Sequence, residues 1–249
     1  MCGIIAIVRK PESRVAPNPV DLLDLIEKAA GLLAGEQIAA VSEAKNYLEQ
    51  VNQLLQGTSG LYALIDNENL SRDLKEKLEI LYTKVVPNME QSLHEMDIDP
   101  EEANELIVGL RDSIWAISHD RIETFKGVMN LASKSHAPSR AGYAVLLSIQ
   151  QALSAIDRME VRGRDSAGIQ VTLWGYESDK EQNIDHSEDP LYRSGATHHV
   201  QGRLLQFVVK TAAEIGELGD NTTVLRKRIS ADTNLAEILT QEKVRGSIL

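Results

Sequence analysis

Cysteine is nearly absent from this chain: among its 249 residues there is a single cysteine. A single thiol excludes an internal disulfide framework and a cysteine-rich metal site, and it is typical of a reducing cytoplasm. Basic residues are in the minority, with 26 Lys and Arg against 37 Asp and Glu, and the formal charge of −11 argues against a general binder of nucleic acid or anionic membranes. Long apolar runs are missing too, so neither a membrane span nor a secretory signal is predicted. What remains is a globular chain, 43% hydrophobic, that can build one large domain or two modest ones.

The lone cysteine stands directly behind the initiator methionine, in the opening sequence MCGIIAIV. Removal of Met1 would give Cys2 a free α-amino group, which can accept the proton that the thiol loses when it becomes a nucleophile. Gly3 leaves room for a substrate, and the apolar residues 4–8 predict a buried strand that would hold this terminus in place. By themselves, these residues favour an ordinary first strand over a catalytic terminus.

A long helical tract is predicted for residues 11–140. Apolar residues recur there at spacings of three and four, which is the pattern of amphipathic helices. They are Leu22, Leu25, Ile26, Ala29, Leu32, Leu33, the apolar positions of 38–55, Leu74, Leu78, Leu81, Leu106, Leu110, Ile114, Ile117 and Ile122. Asp99 before Pro100 predicts the start of a long helix, and residues 57–60 and 135–139 predict breaks. We expect an all-α insertion, and because His94, His119 and His136 lack metal-ligand spacing, we expect no metal there.

The chain changes character from about Gly142. Apolar residues at helical spacing lead into the polar segment 161–168, V-R-G-R-D-S-A-G, and a strand with alternating apolar residues follows at once. Arg162 can donate through its planar fork, Asp165 can accept, and the glycines allow close backbone approach. The residue types alone leave two alternatives open: a structural turn held by an Arg–Asp interaction, or a binding loop.

The opening MCGI and the later E-V-R-G-R-D-S-A-G-I together resemble the class II glutamine amidotransferases, and most closely the glucosamine-6-phosphate synthases. The resemblance covers the first eight or so residues and about 142–174, and more weakly 203–249. Val161 and Arg164 stand where that family normally has tyrosines, which suggests a divergent subgroup. The turns of amidophosphoribosyltransferases and asparagine synthetases fit less well.

The resemblance implies a fold, a reaction and a set of residues. The fold would be α+β, a partial Ntn-hydrolase αββα sandwich formed by residues 1–10 and 141–249, with a large all-α insertion at 11–140. Cys2 would attack the side-chain amide of glutamine, and hydrolysis of the resulting thioester would give glutamate and ammonia. Arg162 and Gly163 would line the substrate pocket, Asp165 and Ser166 would brace the turn, and no cofactor is implied.

The family's remaining site motifs do not occur in this sequence. They are H-T-R-W-A, an Asn-Gly pair that builds the oxyanion hole, and an aspartate that binds the α-amino group of glutamine. Residues 244–249 resemble the segment that directly precedes H-T-R-W-A in the family. We therefore expect the amino-terminal part of a longer cytoplasmic enzyme, inactive alone. Missing domains would use the ammonia to aminate a sugar phosphate, and a homo-oligomer of the full-length form is compatible with the resemblance. The alternative is a non-catalytic helical interaction or scaffold protein that carries an amidotransferase remnant.

Overall fold

The computed structural model describes residues 3–10, 12–35, 37–96, 98–159, 166–177, 198–200, 204–212 and 219–249. These residues form two compact units. The first is all helical and comprises Glu12–Phe125. The second contains a sheet and comprises the described residues of Met1–Pro11 and Lys126–Leu249. Every helix in the described ranges is too short or too polar to cross a lipid bilayer.

In the described residues of the helical unit there are six α-helices and two π-helical segments, and a seventh helix begins at its end. They are α1 (Pro19–Leu33), α2 (Ile38–Leu54), α3 (Gly57–Asp66), α4 (Leu70–Ile80), the π-helical Leu81–Val85, α5 (Val86–Glu95), α6 (Pro100–Trp115), the π-helical Ala116–Glu123, and α7 (Thr124–Leu131). α1 packs along α2, and α2 packs against α6. The apolar stripes converge on one core, in which Leu22, Leu48 and Leu110 are fully buried. The helical character predicted from the periodicity of this tract is present in the structure.

The helix starts in this unit follow local chemistry. Asn18 precedes Pro19, and its side-chain oxygen accepts from the Val20 amide at 3.0 Å. Asp99 accepts from the Glu102 amide at 3.4 Å, so the helix start predicted before Pro100 is confirmed. In both cases a side-chain oxygen satisfies an amide that the first helical turn leaves without a partner.

The predicted break at residues 57–60 is wrong in its extent, because these residues form the first turn of α3. The chain does turn sharply between α2 and α3, where Gly57 takes the positive φ of 71°. Two side chains hold this turn: Arg14 donates to the carbonyl oxygens of Gln53 and Gln56, and Glu12 accepts from the Thr58 amide at 3.1 Å. Glu12 and Arg14 also form an ion pair. Helix α3 thus begins directly after α2, with a carboxylate at its amino end.

The described residues of the second unit form strands and three further helices. Its elements after α7 are β1 (Ile7–Val8), α8 (Arg140–Met159), β2 (Ala167–Trp174), β3 (His198–Val200), β4 (Leu204–Thr211), α9 (Asp220–Ala231), α10 (Thr233–Leu239) and β5 (Arg245–Ile248). The strands form one antiparallel sheet in the order β1-β5-β2-β4-β3. With its helical unit and its sheet the chain is α+β, as predicted.

One face of the sheet is buried under helices. Ile169, Val171 and Leu173 of β2 pair directly with Val209, Phe207 and Leu205 of β4, and all six side chains are buried. Helices α8 and α9 contact each other and both pack on the sheet. A Cβ at Gly246 of β5 would lie 3.0 Å from Leu173 and 3.1 Å from Val145 of α8, which puts that helix on the same face as the buried residues. The alternation in the sequence therefore predicted the buried face correctly.

The first strand differs from its prediction. Only Ile7 and Val8 pair, with Ile248 and Ser247 of β5, and β1 lies at one edge of the described sheet. Ile4 is 84% exposed and Val8 76% exposed, so the apolar run 4–8 is not a buried strand. Burial depends on what covers a strand, and in the described residues β1 has a neighbour on one side alone.

Candidate functional site

Four of the five predicted site residues, Cys2, Arg162, Gly163 and Asp165, lie outside the described residues. The fifth, Ser166, is exposed and directly precedes β2. The geometry of the candidate site is therefore that of the elements flanking these residues: Gly3 and β1 on one side, and α8 and β2 on the other.

The described residues that adjoin the two sequence motifs meet each other. Gly3 follows Cys2, and Met159, the last residue of α8, is three residues before Arg162. A Cβ at Gly3 would lie 2.5 Å from the sulfur of Met159, which is closer than a real Cβ approaches such an atom. Gly3 thus lies against the flexible side chain of Met159 at the end of α8.

Arg9 ties the amino-terminal segment to α8 a second time. Its Nε donates to the Ser148 hydroxyl at 3.3 Å, and its Nη2 donates to the side-chain oxygen of Gln151 at 2.6 Å. Together with the pairing of β1 to β5, these bonds fix the direction in which the chain leaves Gly3. The segment is held by its neighbours even though most of its apolar side chains are exposed.

The amino end of α8 is anchored on the end of α10. The Ser139 amide donates to the Leu239 carbonyl at 3.0 Å, and the Ser139 hydroxyl donates to the Gln241 carbonyl at 2.8 Å. That hydroxyl also accepts from the Gly142 amide at 3.0 Å, which caps the helix. Gly142 packs so closely on the Leu239 carbonyl that a side chain there would collide with backbone. This contact fixes the position of α8 along its axis, and therefore also the position of Met159 at its end.

The carboxyl end of α8 is held by α9. Asp157 accepts from the Thr222 hydroxyl at 3.2 Å, and Thr222 lies in the first turn of α9. Gly219 precedes that helix with a φ of 93°, and a Cβ there would lie 3.3 Å from the Asp157 carboxylate. A carboxylate at the amino end of a helix interacts favourably with its dipole. Asp157 thus positions the end of α8 two residues before Met159.

Arg226 of α9 lies partly buried against α8. Its Nη1 donates to the side-chain oxygen of Gln150 at 2.6 Å and to the Gly127 carbonyl at 3.3 Å. Burial lowers the pKa of Arg226, and the charge of Asp157 opposes that shift. The guanidinium keeps its charge, because arginine stays protonated in proteins. It supplies a donor to the buried Gln150 amide and an opposite charge to Asp157.

Asp157, Thr222 and Arg226 were missed by the sequence analysis. The helix α9 was not predicted from the sequence. The one available signal was Gly219-Asp220-Asn221-Thr222, which is typical of a helix start. The packing of α8 against α9 decides which carboxylate lies at the amino end of α9. No local sequence pattern contains that information.

No metal site is found in the described part of the chain. No group of three or more His, Cys, Asp and Glu residues there could hold a metal ion. A cavity of about 10 Å³ lies between α8, α9 and α10, lined by residues that include His136, Leu146 and Leu239. This volume is enough for about one water molecule.

No family model matches this chain, and neither a curated protein nor a solved structure matches it. The motifs and the geometry described above are therefore the basis for assigning a function.

Proposed function

We propose that this chain is the nucleophile-bearing part of a glutamine amidotransferase of class II, which hydrolyses glutamine to glutamate and ammonia. The observation that carries the proposal is the contact of Gly3 with Met159. It joins two segments that are more than 150 residues apart in sequence and that carry the two motifs of the resemblance.

The reach of the backbone bounds the distance between the proposed site residues. Consecutive Cα atoms lie about 3.8 Å apart, and three residues span at most roughly 11 Å. Cys2 adjoins Gly3, and Arg162 is three residues beyond Met159. These lengths are compatible with the proposal that the Cys2 thiol and the Arg162 guanidinium contact the same glutamine. Asp165 and Ser166 would brace the turn that leads into β2.

The proposed reaction uses the free amino terminus of Cys2. The α-amine takes the proton of the thiol, and the sulfur attacks the side-chain amide carbon of glutamine. The C–N bond then breaks, and the nitrogen leaves as ammonia with the proton returned by the amine. Water attacks the glutamyl thioester, which gives glutamate and restores the thiol. The ammonia would serve a sugar-phosphate acceptor bound by other domains.

The first test detects the proposed nucleophile directly. Because the chain has one cysteine, every thiol readout reports Cys2. Cyanobenzothiazole reagents condense with an N-terminal cysteine through its amine and thiol together, and intact-mass spectrometry counts the products. We expect the protein from its natural host to lack Met1 and to form one adduct. Retention of Met1, or no adduct on the folded protein, would contradict the proposal.

The second test asks whether this thiol lies in a glutamine site. Iodoacetamide alkylation of Cys2 is timed with L-glutamine, with L-asparagine and without either. We expect glutamine alone to slow alkylation and Arg162→Ala to abolish that protection, while Arg158→Ala, on α8 but outside the motif, leaves it intact. Equal rates under all conditions would favour the scaffold alternative. Hydrolysis by this chain alone is expected to be weak, since each oxyanion-hole donor contributes on the order of 10²–10³ in rate and the Asn-Gly pair does not occur in the sequence.

A further inference from the structure

The acidic charge of the protein is concentrated in its helical unit. Residues 12–125 contain nine Lys and Arg against 22 Asp and Glu, whereas the rest of the chain contains 17 against 15. The net charge of −11 thus originates in the helical unit alone. A field of one sign on one unit attracts a positively charged partner and repels a second copy of the same unit.

Helix α6 presents a regular row of exposed side chains. Its members follow one another at spacings of four and three residues, which places them on one face of the helix. We call this row the α6 stripe, and it consists of Glu101, Glu105, Val108, Asp112, Trp115 and, in the following π-helical segment, His119. The opposite face of α6 is in the core, with Ile107, Leu110 and Ile114 buried.

Two apolar side chains of the α6 stripe are each nearly half exposed to solvent. Val108 is 44% exposed and Trp115 is 49% exposed. The Trp115 ring stacks on that of His119, with the ring centres 4.8 Å apart and the planes within 8° of each other. This stacking favours one orientation of the indole, so less conformational entropy is lost when another surface covers it.

The carboxylates of the α6 stripe are available to an outside cation. Glu101, Glu105 and Asp112 make no ion pair with any residue in the described ranges. The neighbouring cations are already engaged, since Lys45 pairs with Glu49 at 3.5 Å and Arg111 pairs with Glu90 at 2.6 Å. The α6 stripe therefore alternates free negative charge with apolar surface.

We propose that the α6 stripe docks a basic amphipathic helix of a partner protein. The 4-3 spacing matches the seam that two packed helices share, with Val108 and Trp115 as the apolar contacts. Lys or Arg residues of the partner that face Glu101, Glu105 and Asp112 on this seam would pair with them, and one of these cations can also lie on the indole face of Trp115. The charge of the helical unit selects against a second copy of this chain. The α6 stripe belongs to the helical unit, and this inference does not rest on the proposed glutaminase activity.

The test uses the full chain and a designed probe. The probe is a fluorescein-labelled helical peptide of about 21 residues with Leu at the positions that face Val108 and Trp115 and Lys at the positions that face the three carboxylates, and its counterpart has Glu in place of Lys. Fluorescence anisotropy measures binding at about 0.05 M and about 0.5 M salt. We expect the Lys peptide alone to bind, and more weakly at high salt.

Matched variants locate the binding surface. The triple variant Glu101→Gln, Glu105→Gln, Asp112→Asn should weaken binding roughly tenfold, since each exposed ion pair contributes little alone. Its control, Asp24→Asn, Glu68→Gln, Glu79→Gln, changes the net charge equally at exposed positions elsewhere in the unit and should have less than about a third of that effect. Trp115→Ala should weaken binding about 30-fold, as expected for a central aromatic contact, whereas Tyr82→Ala at another exposed aromatic should have little effect.

Three outcomes would overturn the proposal. Equal losses in the two triple variants would show attraction by net charge without a defined surface. No loss in Trp115→Ala would exclude the α6 stripe as the contact. Sedimentation that shows a dimer, dissociated by Trp115→Ala and by the Lys peptide, would show that a second copy occupies this surface. Circular dichroism of each variant confirms that the fold is retained.

Discussion

Substituting Gly142 by alanine should destabilise the sheet-bearing unit through one contact. Gly142 lies in the first turn of α8, directly on the Leu239 carbonyl, and a Cβ there would also come within 2.9 Å of the Leu239 carbonyl carbon. Those atoms are backbone and cannot rotate away. Helix α8 must therefore move, and movement weakens the bonds of Ser139 to Leu239 and Gln241.

Two opposing effects set the size of the change. Alanine is better than glycine in a helix by roughly 0.5–1 kcal/mol. Forcing a methyl group into a filled interior costs roughly 1–3 kcal/mol, and a weakened hydrogen bond adds about 1 kcal/mol. The free energy of unfolding of this unit should therefore fall by about 2 kcal/mol. Gly31 in α1 is the matched control: nothing lies within 4 Å of a Cβ there, so Gly31→Ala should stabilise the helical unit by roughly 0.5–1 kcal/mol.

Each unit carries one tryptophan, which allows the two effects to be measured separately. Trp174 lies in β2 of the sheet-bearing unit, and Trp115 lies in the helical unit. In a Trp115→Phe background, the fluorescence of Trp174 during urea unfolding measures the effect of Gly142→Ala on the sheet-bearing unit. In a Trp174→Phe background, the fluorescence of Trp115 measures the effect of Gly31→Ala on the helical unit. If Gly142→Ala proved as stable as its parent, the close contact of α8 with Leu239 would be refuted.

Two further predictions concern ionic contacts. The hydrogen bond from Arg14, with its charge and the amides of Ser59 and Thr58, lowers the pKa of Glu12 despite some burial. The stabilisation of the folded helical unit by ionised Glu12 is therefore complete at pH values above the ordinary carboxyl pKa. It is lost as the pH falls through the lowered pKa of the folded state. In urea unfolding read by Trp115, Glu12→Gln should lose stability near pH 7, and its difference from the parent should shrink in acid; a constant difference would refute this linkage. Arg226→Met should destabilise the sheet-bearing unit by roughly 1–3 kcal/mol, because the buried Gln150 amide loses a donor, whereas exposed Lys227→Met should change little. Equal effects of the two substitutions on unfolding read by Trp174 would contradict that role.

The helices and main strands follow from patterns that lie within a few residues of each other. Asp99 and Pro100 begin α6 because the carboxylate and the first free amides are neighbours in the chain. The alternation of β2 predicts its buried face because successive side chains of a strand point to opposite sides. Residues 57–60 were misread, since small and polar residues are compatible with both a break and a first helical turn. Arg14 and Glu12, which decide between them, come from more than 40 positions away.

The sequence by itself determined the mixed helical and sheet character of this protein, and it singled out Cys2 and the segment around Arg162. Only the tertiary structure decided that Gly3 passes against Met159, that Ile4 and Val8 are exposed, and that α9 holds the end of α8 through Asp157. The physical reason is the range of the interactions. Helix capping and periodic burial depend on residues that are a turn or less apart in the sequence. Close packing joins residues that are far apart in the sequence, and no local pattern indicates which of them will meet.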